Sequence, residues 1–299
     1  MSSEIKGTGV ALITPFHIYG TIDFTSLGKI VEHVISKGVD FIVALGTTSE
    51  AATLSKDEKH AVIEYIIEVV DKRVPIVMGV GGNNTQEVID YIKSNSFDGI
   101  DCILSVAPYY NKPQQKGLYY HFKNIATASP VPLILYNVPG RTCSNIDTET
   151  TIRLAHEFDN VIGIKEASGD LIQIMQIIKK RPKNFKVFSG DDALTFPLLM
   201  LGADGVISVI ANAFPKEFSF MVNNSLKGNR KKAGNIHYSL IDIIQALFED
   251  GNPSGIKAML DILGLCSNNL RLPLVKVNKA THNKLQQLVE NYSSPEAIN

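Results

Sequence analysis

The sequence has no tryptophan, few cysteines and no excess of charge of either sign. Cys102, Cys143 and Cys266 lie far apart without a CxxC pair, so reduced, buried thiols are expected. Lysine plus arginine number 29 against 30 for aspartate plus glutamate, which predicts no basic surface for nucleic acid. The seven histidines form no HExxH motif or other ligand cluster, and we therefore expect no catalytic metal.

Long apolar runs are also absent. No uninterrupted run is long enough to cross a bilayer, which predicts no association with a membrane. Residues 1–9 lack the apolar core of a signal peptide. We therefore expect a cytoplasmic protein whose 299 residues, 44% of them hydrophobic, suffice for one large core or two ordinary domains.

Short apolar runs recur at fairly regular intervals, and segments with helical periodicity lie between them. In one such segment, Ser55–Val70, Ser55 and Glu58 form a predicted capping box. The eight runs are Val10–Thr14, Phe41–Leu45, Pro75–Gly79, Cys102–Val106, Pro132–Tyr136, Val161–Lys165, Lys186–Ser189 and Gly205–Val209.

Alternation of strands and helices is typical of parallel pairing with right-handed crossovers. Eight units within about 210 residues predict an α/β fold, a closed (β/α)8 TIM barrel. The alternative is an open, doubly wound sheet, which usually has a glycine-rich turn after its first strand. Here that turn reads Thr14-Pro15-Phe16, which favours the barrel.

The pattern changes after Val209, where no further strand is predicted. Four helices are expected instead, and Gly251-Asn252-Pro253 and Leu272-Pro273 separate some of them. We therefore predict a barrel domain over 1–225 and a C-terminal helical region over 226–299. The predicted helices are Glu217–Leu226, Lys231–Phe248, Gly255–Leu265 and Thr281–Asn291.

Lys165 stands out because it ends an apolar strand of the kind that is buried on both faces. Burial disfavours the charged form of an amine, and a neutral amine attacks carbonyl carbon. The alternative is a lysine whose stem lies along the strand while the ammonium reaches water.

Polar residues follow several other predicted strands, and in a barrel all of these positions converge on one mouth. Lys165 can form an imine with a keto acid, and Tyr136 on the neighbouring strand can move the proton that then leaves the adjacent carbon. Thr47 and Tyr110 offer hydroxyl groups for a relay. Backbone N–H groups around Thr48 can bind a carboxylate.

Arg141 offers a bidentate site for a second carboxylate. Each of these residues also has an ordinary structural explanation. Threonines form turns, tyrosines pack with a wet hydroxyl, and a single arginine makes a surface ion pair. Only their convergence on one mouth favours carbonyl chemistry.

These motifs together resemble the dihydrodipicolinate synthase and N-acetylneuraminate lyase family of pyruvate-dependent class I aldolases. The resemblance runs from Gly9 to Pro273. Its most specific segments are Gly46–Glu50, Tyr136–Thr142 and Gly163–Gly169, and Asn252-Pro253 resembles the family's C-terminal region.

The resemblance implies roles for individual residues. Lys165 is implied as the Schiff-base lysine and Tyr136 as the proton donor and acceptor, while Thr47 and Tyr110 complete a relay, Tyr110 reaching in from a neighbouring subunit. Other residues are implied to bind substrate: Thr48 and Ile207 for pyruvate, Gly190 lining the site, and Arg141 for the carboxylate of L-aspartate 4-semialdehyde. The family works without a metal or organic cofactor and is usually a homotetramer.

Two reactions follow from the resemblance. One condenses pyruvate with L-aspartate 4-semialdehyde in lysine and diaminopimelate biosynthesis, and the other cleaves N-acetylneuraminate or a 2-keto-3-deoxy sugar acid through the same imine. Arg141 favours the first, because a polyol has no use for a second carboxylate site. A non-catalytic keto-acid sensor is disfavoured because Lys165 and Tyr136 are both present.

Two departures from the family pattern have consequences. Ser49 replaces the usual glycine, and a left-handed backbone at that position would cost roughly 1 kcal/mol. Asn83, Glu87 and Tyr109 match the family's lysine-binding cleft, but Lys59 stands where inhibited members often carry histidine. A fixed ammonium repels a cationic effector, so we expect weak or absent lysine inhibition.

Overall fold

The computed structural model describes residues 5–293. Eight parallel strands form a closed barrel in the order β1 to β8, and β8 pairs with β1. This confirms the predicted (β/α)8 architecture and excludes an open sheet. The strands are β1 Gly7–Ala11, β2 Phe41–Ala44, β3 Ile76–Gly79, β4 Cys102–Val106, β5 Leu133–Asn137, β6 Val161–Glu166, β7 Lys186–Ser189 and β8 Gly205–Ser208.

Twelve α-helices lie between and after the strands within residues 5–293. The predicted capping box is present, because Ser55 Oγ accepts from Glu58 N at 3.2 Å and Glu58 Oε2 accepts from Ser55 N at 2.9 Å. The helices are α1 Phe24–Ser36, α2 Lys56–Val70, α3 Thr85–Ser94, α4 Gln115–Ala128, α5 Pro139–Thr142, α6 Thr148–Glu157, α7 Leu171–Lys180, α8 Thr195–Met200, α9 Pro215–Leu226, α10 Arg230–Phe248, α11 Ser254–Ile262 and α12 Lys279–Glu290.

The first strand begins and ends earlier than predicted. It covers Gly7–Ala11, whereas the apolar run suggested Val10–Thr14. Gly9 in this strand serves close packing inside the barrel. A Cβ on Gly9 would lie 2.1 Å from the ring of Phe41 on the adjacent strand, so only glycine leaves room for that ring.

Alternation along the strands divides the apolar residues into two layers. Side chains of one parity, including Phe41, Ile134 and Phe188, pack in a cluster inside the barrel. Those of the other parity join the helices in a larger outer core. The inside of the barrel is therefore filled, and a cavity lies near its mouth.

The C-terminal helices pack directly on the barrel helices. Helix α10 contacts α9, and α12 packs against both α10 and α11. Helix α9 ends at Leu226, next to the predicted boundary between 1–225 and 226–299. That division itself stays a prediction. None of the described helices is both long and apolar enough to cross a membrane.

A buried ion pair joins the C-terminal region to the loop after β2. Lys257 Nζ on α11 binds Glu50 Oε1, and both side chains are fully shielded from water. Glu50 Oε2 accepts from the backbone N–H of Arg271 at 3.0 Å, and Lys257 also donates to the carbonyl of Asn269 at 2.9 Å. Burial lowers the pKa of Lys257, and the Glu50 carboxylate acts in the opposite direction. Removing one partner therefore leaves an uncompensated buried charge.

We predict that Lys257→Met destabilises the protein by about 3–5 kcal/mol, because Glu50 loses its buried counter-charge. The matched control is Lys284→Met, since Lys284 pairs with Glu249 on the surface with both side chains at least 41% exposed. That variant should lose less than about 1 kcal/mol. Urea unfolding curves measure both, and equal losses would contradict the prediction.

Candidate active site

The carboxyl ends of the strands surround a cavity of about 170 Å³. Six of the eight predicted site residues line it. Side chains from the C-terminal region close one side of this space. The lining consists of Ala11, Val43, Gly46, Thr47, Thr48, Leu104, Tyr136, Val138, Arg141, Lys165, Ala167, Gly190, Asp191, Val209, Phe248 and Asn252.

Lys165 lies near the end of β6 and is only 6% exposed. Its partner in the parallel register is Tyr136 on β5, which is 7% exposed. The Nζ atom lies over the Tyr136 ring, 4.4 Å from its centroid. Among residues 5–293 no carboxylate pairs with this Nζ and no acceptor takes a hydrogen bond from it. The amine is thus buried against a phenol ring without a neutralising partner.

Gly190 follows β7 and gives the lysine side chain its room. A Cβ at this position would lie 3.0 Å from Lys165 Cε and 2.7 Å from Ala167 Cβ. These distances are shorter than ordinary van der Waals contacts. The glycine is therefore required by a close approach beside the amine.

The segment after β2 presents Thr47 and Thr48 to the cavity as a short 3-10 turn, Thr47–Ser49. Thr47 is exposed, while Thr48 is buried and its Oγ1 accepts from Asn252 Nδ2 at 2.9 Å. The N–H groups of Ser49 and Glu50 bind the carbonyls of Gly46 and Thr47 within the turn. These two hydrogen bonds do not use the backbone N–H of Thr48, which lies closer to the start of the turn than the N–H groups of Ser49 and Glu50.

The anticipated strain at Ser49 does not occur. Ser49 has no positive φ, and its hydroxyl donates to the carbonyl of Gly46 at 2.7 Å. The left-handed residue is the next one, Glu50, at φ 56°. A serine therefore fits at 49 without the conformational cost that a left-handed position would impose.

Arg141 lies on the four-residue helix α5 and is exposed at the cavity wall. Its Nη2 donates to the carbonyl of Asn252 at 3.4 Å, which is a long hydrogen bond. Most of its donors remain available for a ligand anion. A guanidinium at the exposed wall of the cavity is suited to bind the carboxylate of a ligand.

The remaining two predicted residues do not line the cavity. Tyr110 is 86% exposed and has a left-handed backbone, with φ 78°. Ile207 is 1% exposed and belongs to the cluster inside the barrel that includes Tyr136. One protomer therefore brings together Lys165, Tyr136, Thr48 and Arg141, but it does not place Tyr110 beside them.

Three polar or aromatic lining residues were not predicted as site residues: Asp191, Phe248 and Asn252. Asp191 follows β7. Phe248 ends α10, and Asn252 lies between α10 and α11. No periodicity identifies a residue in such a connection, because its role depends on how the C-terminal region packs on the barrel mouth.

Glu166 is buried directly after Lys165, with 1% exposure. It accepts from Asn137 Nδ2 at 3.1 Å, from the backbone N–H of Ser168 at 2.9 Å and from Gln173 Nε2 at 3.0 Å. Burial raises its pKa, although these hydrogen bonds act in the opposite direction. Because Asn137 follows Tyr136, this contact joins the two residues that come after the lysine–tyrosine pair.

Asp192 is a second buried carboxylate at the mouth, 3% exposed. Its Oδ2 accepts from the N–H groups of Val209 and Ile210 at 3.0 and 2.8 Å. Burial raises the pKa of Asp192 to about 6. The residue joins the loop after β7 to the segment after β8, beside the wall formed by Gly190 and Val209.

The fold and the cavity define a (β/α)8-barrel protein with a buried amine at its catalytic mouth, the arrangement of an imine-forming class I aldolase. Across residues 5–293 there is no group of three or more His, Cys, Asp or Glu side chains placed to hold a metal ion. The expectations about metals, cofactors and lysine inhibition stay predictions.

Comparison with known proteins identifies the family. The model of the dihydrodipicolinate synthetase family matches residues 4–292. A protein of Parabacteroides distasonis named 4-hydroxy-tetrahydrodipicolinate synthase is 52% identical over 290 residues, which cover 97% of this chain and 98% of that protein. The chain therefore belongs to the dihydrodipicolinate synthetase family.

Solved structures agree with this assignment. The chloride-inhibited dihydrodipicolinate synthase of Acinetobacter baumannii, complexed with pyruvate, has a TM-score of 0.93 and 41% identity, covering 96% of this chain and 98% of that one. A structure described as the first monomeric dihydrodipicolinate synthase variant has a TM-score of 0.93 and 38% identity, covering 95% and 96%. Relatives of this fold thus include a monomeric protein.

We predict that Asp192→Asn changes how stability depends on pH. The carboxyl has a pKa of about 6 when folded and 3.8 as a free side chain, so below pH 6 the folded protein takes up a proton that the unfolded chain does not. The contribution of Asp192 to the free energy of unfolding is therefore largest at pH 4 and is lost as the pH rises through 6. The total change is on the order of 3 kcal/mol.

Urea unfolding of the wild type and of Asp192→Asn at several pH values between 4 and 7 measures this difference. The wild type should gain stability relative to the variant as the pH falls. Curves that stay parallel over the whole range would contradict the prediction.

Proposed function

We propose that the chain condenses pyruvate with L-aspartate 4-semialdehyde and releases 4-hydroxy-tetrahydrodipicolinate, with Lys165 as the residue that forms the Schiff base. The observation that carries this is the Lys165 amine itself. It is buried, lies 4.4 Å from the Tyr136 ring centroid, and opens on a cavity whose wall includes Arg141. The reaction is a lyase-type step in lysine and diaminopimelate biosynthesis, and it needs no cofactor.

The amine attacks the keto carbon of pyruvate, and loss of water gives a protonated imine. The imine withdraws electrons, so a proton leaves the methyl carbon and an enamine forms. The enamine carbon then attacks the aldehyde carbon of the second substrate, whose oxygen takes up a proton. The substrate's own amino group finally adds to the imine carbon, closes the ring and releases Lys165.

Each of these steps moves a proton, and we assign this proton transfer to Tyr136. Its register pairing with Lys165 supports this role, because the two side chains emerge side by side on the inner face of the barrel. Thr47 lines the same cavity and offers a second hydroxyl group for the relay.

The carboxylate of pyruvate binds at Thr48, which lines the same cavity as Lys165. Ile207, in the cluster inside the barrel, helps to hold pyruvate from beneath the cavity. Gly190 leaves room for the amine. Arg141 binds the carboxylate of the semialdehyde. Its guanidinium at the cavity wall supports condensation over cleavage of a sugar acid, because a sugar-acid polyol has no second carboxylate to pair with it.

Tyr110 completes the relay from a neighbouring subunit of a homotetramer. Its 86% exposure and left-handed backbone support this, because such a conformation persists where the surroundings hold it. The protein is cytoplasmic, which the three free cysteines support, since a reducing compartment keeps thiols unpaired.

The imine can be trapped by borohydride. We predict that reduction in the presence of pyruvate adds a pyruvate-derived mass to the peptide that contains Lys165 and abolishes turnover. Lys165→Met should give no adduct. Mass mapping of the digested protein measures both, and chelator should leave turnover unchanged. A modified peptide elsewhere, with Lys165 unmodified, would overturn the mechanism.

Mixing two inactive variants tests the position of Tyr110. Lys165→Ala and Tyr110→Phe are each expected to lose most activity. If Tyr110 acts across a two-fold interface, a hybrid dimer holds one complete site, because the Lys165→Ala subunit supplies its tyrosine to the other subunit. A 1:1 mixture after dissociation and reassociation should recover about a quarter of the wild-type activity.

The control is each variant taken alone through the same dissociation and reassociation. If the mixture recovers nothing although hybrids form, Tyr110 acts within its own subunit or not at all. Sedimentation measured on the same samples gives the oligomeric state, and an active monomer would also contradict the proposal.

A further inference from the structure

Asn252, in the connection between α10 and α11, contacts both Thr48 and Arg141, the two residues to which the proposed function assigns the substrate carboxylates. We propose that Asn252 is a positioning residue that orients Thr48 and restrains Arg141, so that the C-terminal region takes part in substrate binding. The proposal rests on the proposed function, since it assigns work to groups that bind the substrate carboxylates.

Asn252 is 8% exposed and lines the cavity. Its side-chain Nδ2 donates to Thr48 Oγ1 at 2.9 Å, across 204 residues of sequence. Its backbone carbonyl accepts from Arg141 Nη2 at 3.4 Å. Asn252 thus contacts Thr48 through its side chain and Arg141 through its backbone.

The hydrogen bond to Thr48 has a direction. In the orientation that the amide has here, its NH₂ group donates, the Thr48 oxygen accepts and the hydroxyl proton points elsewhere, while Asn252 Oδ1 is buried without a hydrogen-bond partner among residues 5–293. Among residues 5–293 no acceptor for that proton is found. A ligand carboxylate in the cavity supplies one, and Asn252 thereby prepares Thr48 to donate to it.

Arg141 gains a restraint of a different kind. Its side chain is exposed and long, and ordering it on ligand binding costs conformational entropy. A contact with a fixed carbonyl reduces the number of orientations available to the guanidinium. The contact is long, so we expect its effect to be smaller than that at Thr48.

Asn252 itself is held firmly. It precedes Pro253, which restricts its backbone, and α11 begins at Ser254. The same helix carries Lys257, whose buried pair with Glu50 fixes the other end of the Thr47–Ser49 turn. The turn is therefore held from two sides by α11 and the residue before it.

The test compares Asn252→Leu with Asn268→Leu. Asn268 is a buried asparagine of the same region, 6% exposed, and it does not line the cavity. We expect Asn252→Leu to raise the KM for pyruvate roughly tenfold and kcat to change by less than about threefold, since one hydrogen bond to a charged ligand is affected. Asn268→Leu should change neither constant by more than about twofold.

Thr48→Val separates positioning from a general loss of structure. If Asn252 acts through the Thr48 hydroxyl, then adding Asn252→Leu to Thr48→Val should raise the pyruvate KM by less than about threefold further. The pyruvate concentration that half-saturates borohydride trapping should follow the same pattern without depending on turnover. Asn252→Ser, whose short side chain does not reach Thr48, replaces the leucine variant if that variant does not fold.

Two results would overturn the proposal: an Asn252 variant that raises the pyruvate KM no more than Asn268→Leu does, or one whose full effect persists in the Thr48→Val background. A wild-type protein that neither turns over nor traps pyruvate contradicts the proposed function instead. The two failures are therefore distinguishable.

Discussion

The proposed chemistry depends on one amine that is largely buried and has no carboxylate partner among residues 5–293. Lys165 is 6% exposed and is covered on one side by the Tyr136 ring. In most proteins a buried lysine is paired, and Lys257 shows that solution in the same chain. Lys257 is therefore a structural nitrogen, whereas Lys165 is the nitrogen to which the proposed function assigns the reaction. What the barrel contributes is a closed wall on which an unpaired amine can be held.

Buried carboxylates hold the loops around that amine. Glu50, Glu166 and Asp192 are each at most 3% exposed, and each accepts at least one hydrogen bond from a backbone N–H group. A carboxylate can join several donors at once, so one side chain fixes segments that follow different strands. Burying an unpaired acid is costly, which the raised pKa of Glu166 and of Asp192 reflects. The hydrogen bonds that these carboxylates accept offset part of the free-energy cost of burying them, and the same bonds hold the loops in place around Lys165.

Most of the barrel follows from local patterns in the sequence. Buried parallel strands are short apolar runs, which can be recognised in the sequence. Lys165, Tyr136 and Arg141 can be recognised in the same way, because they lie at or after the ends of such runs. The first strand was predicted to begin too late because Gly7 and Gly9 interrupt the apolar run, and the ring of Phe41 explains only Gly9. Asn252 and Phe248 were missed because their position depends on packing between distant segments. Tyr110 lies outside the cavity of its own chain, so a single protomer does not test its role.

The closure of the barrel has a consequence for the order of events during synthesis. Asn212 Nδ2 donates to the carbonyl of Ala11, 201 residues away. Thr48 Oγ1 accepts a hydrogen bond from Asn252, which lies 204 residues further along the chain. Contacts over such separations form late, after the entropy of a long loop has been lost. A ribosome-bound chain therefore carries Lys165 long before the cavity around this residue is complete. The lysine is synthesised early, and its cavity is complete only when the C-terminal residues Phe248 and Asn252 have taken their places in the lining.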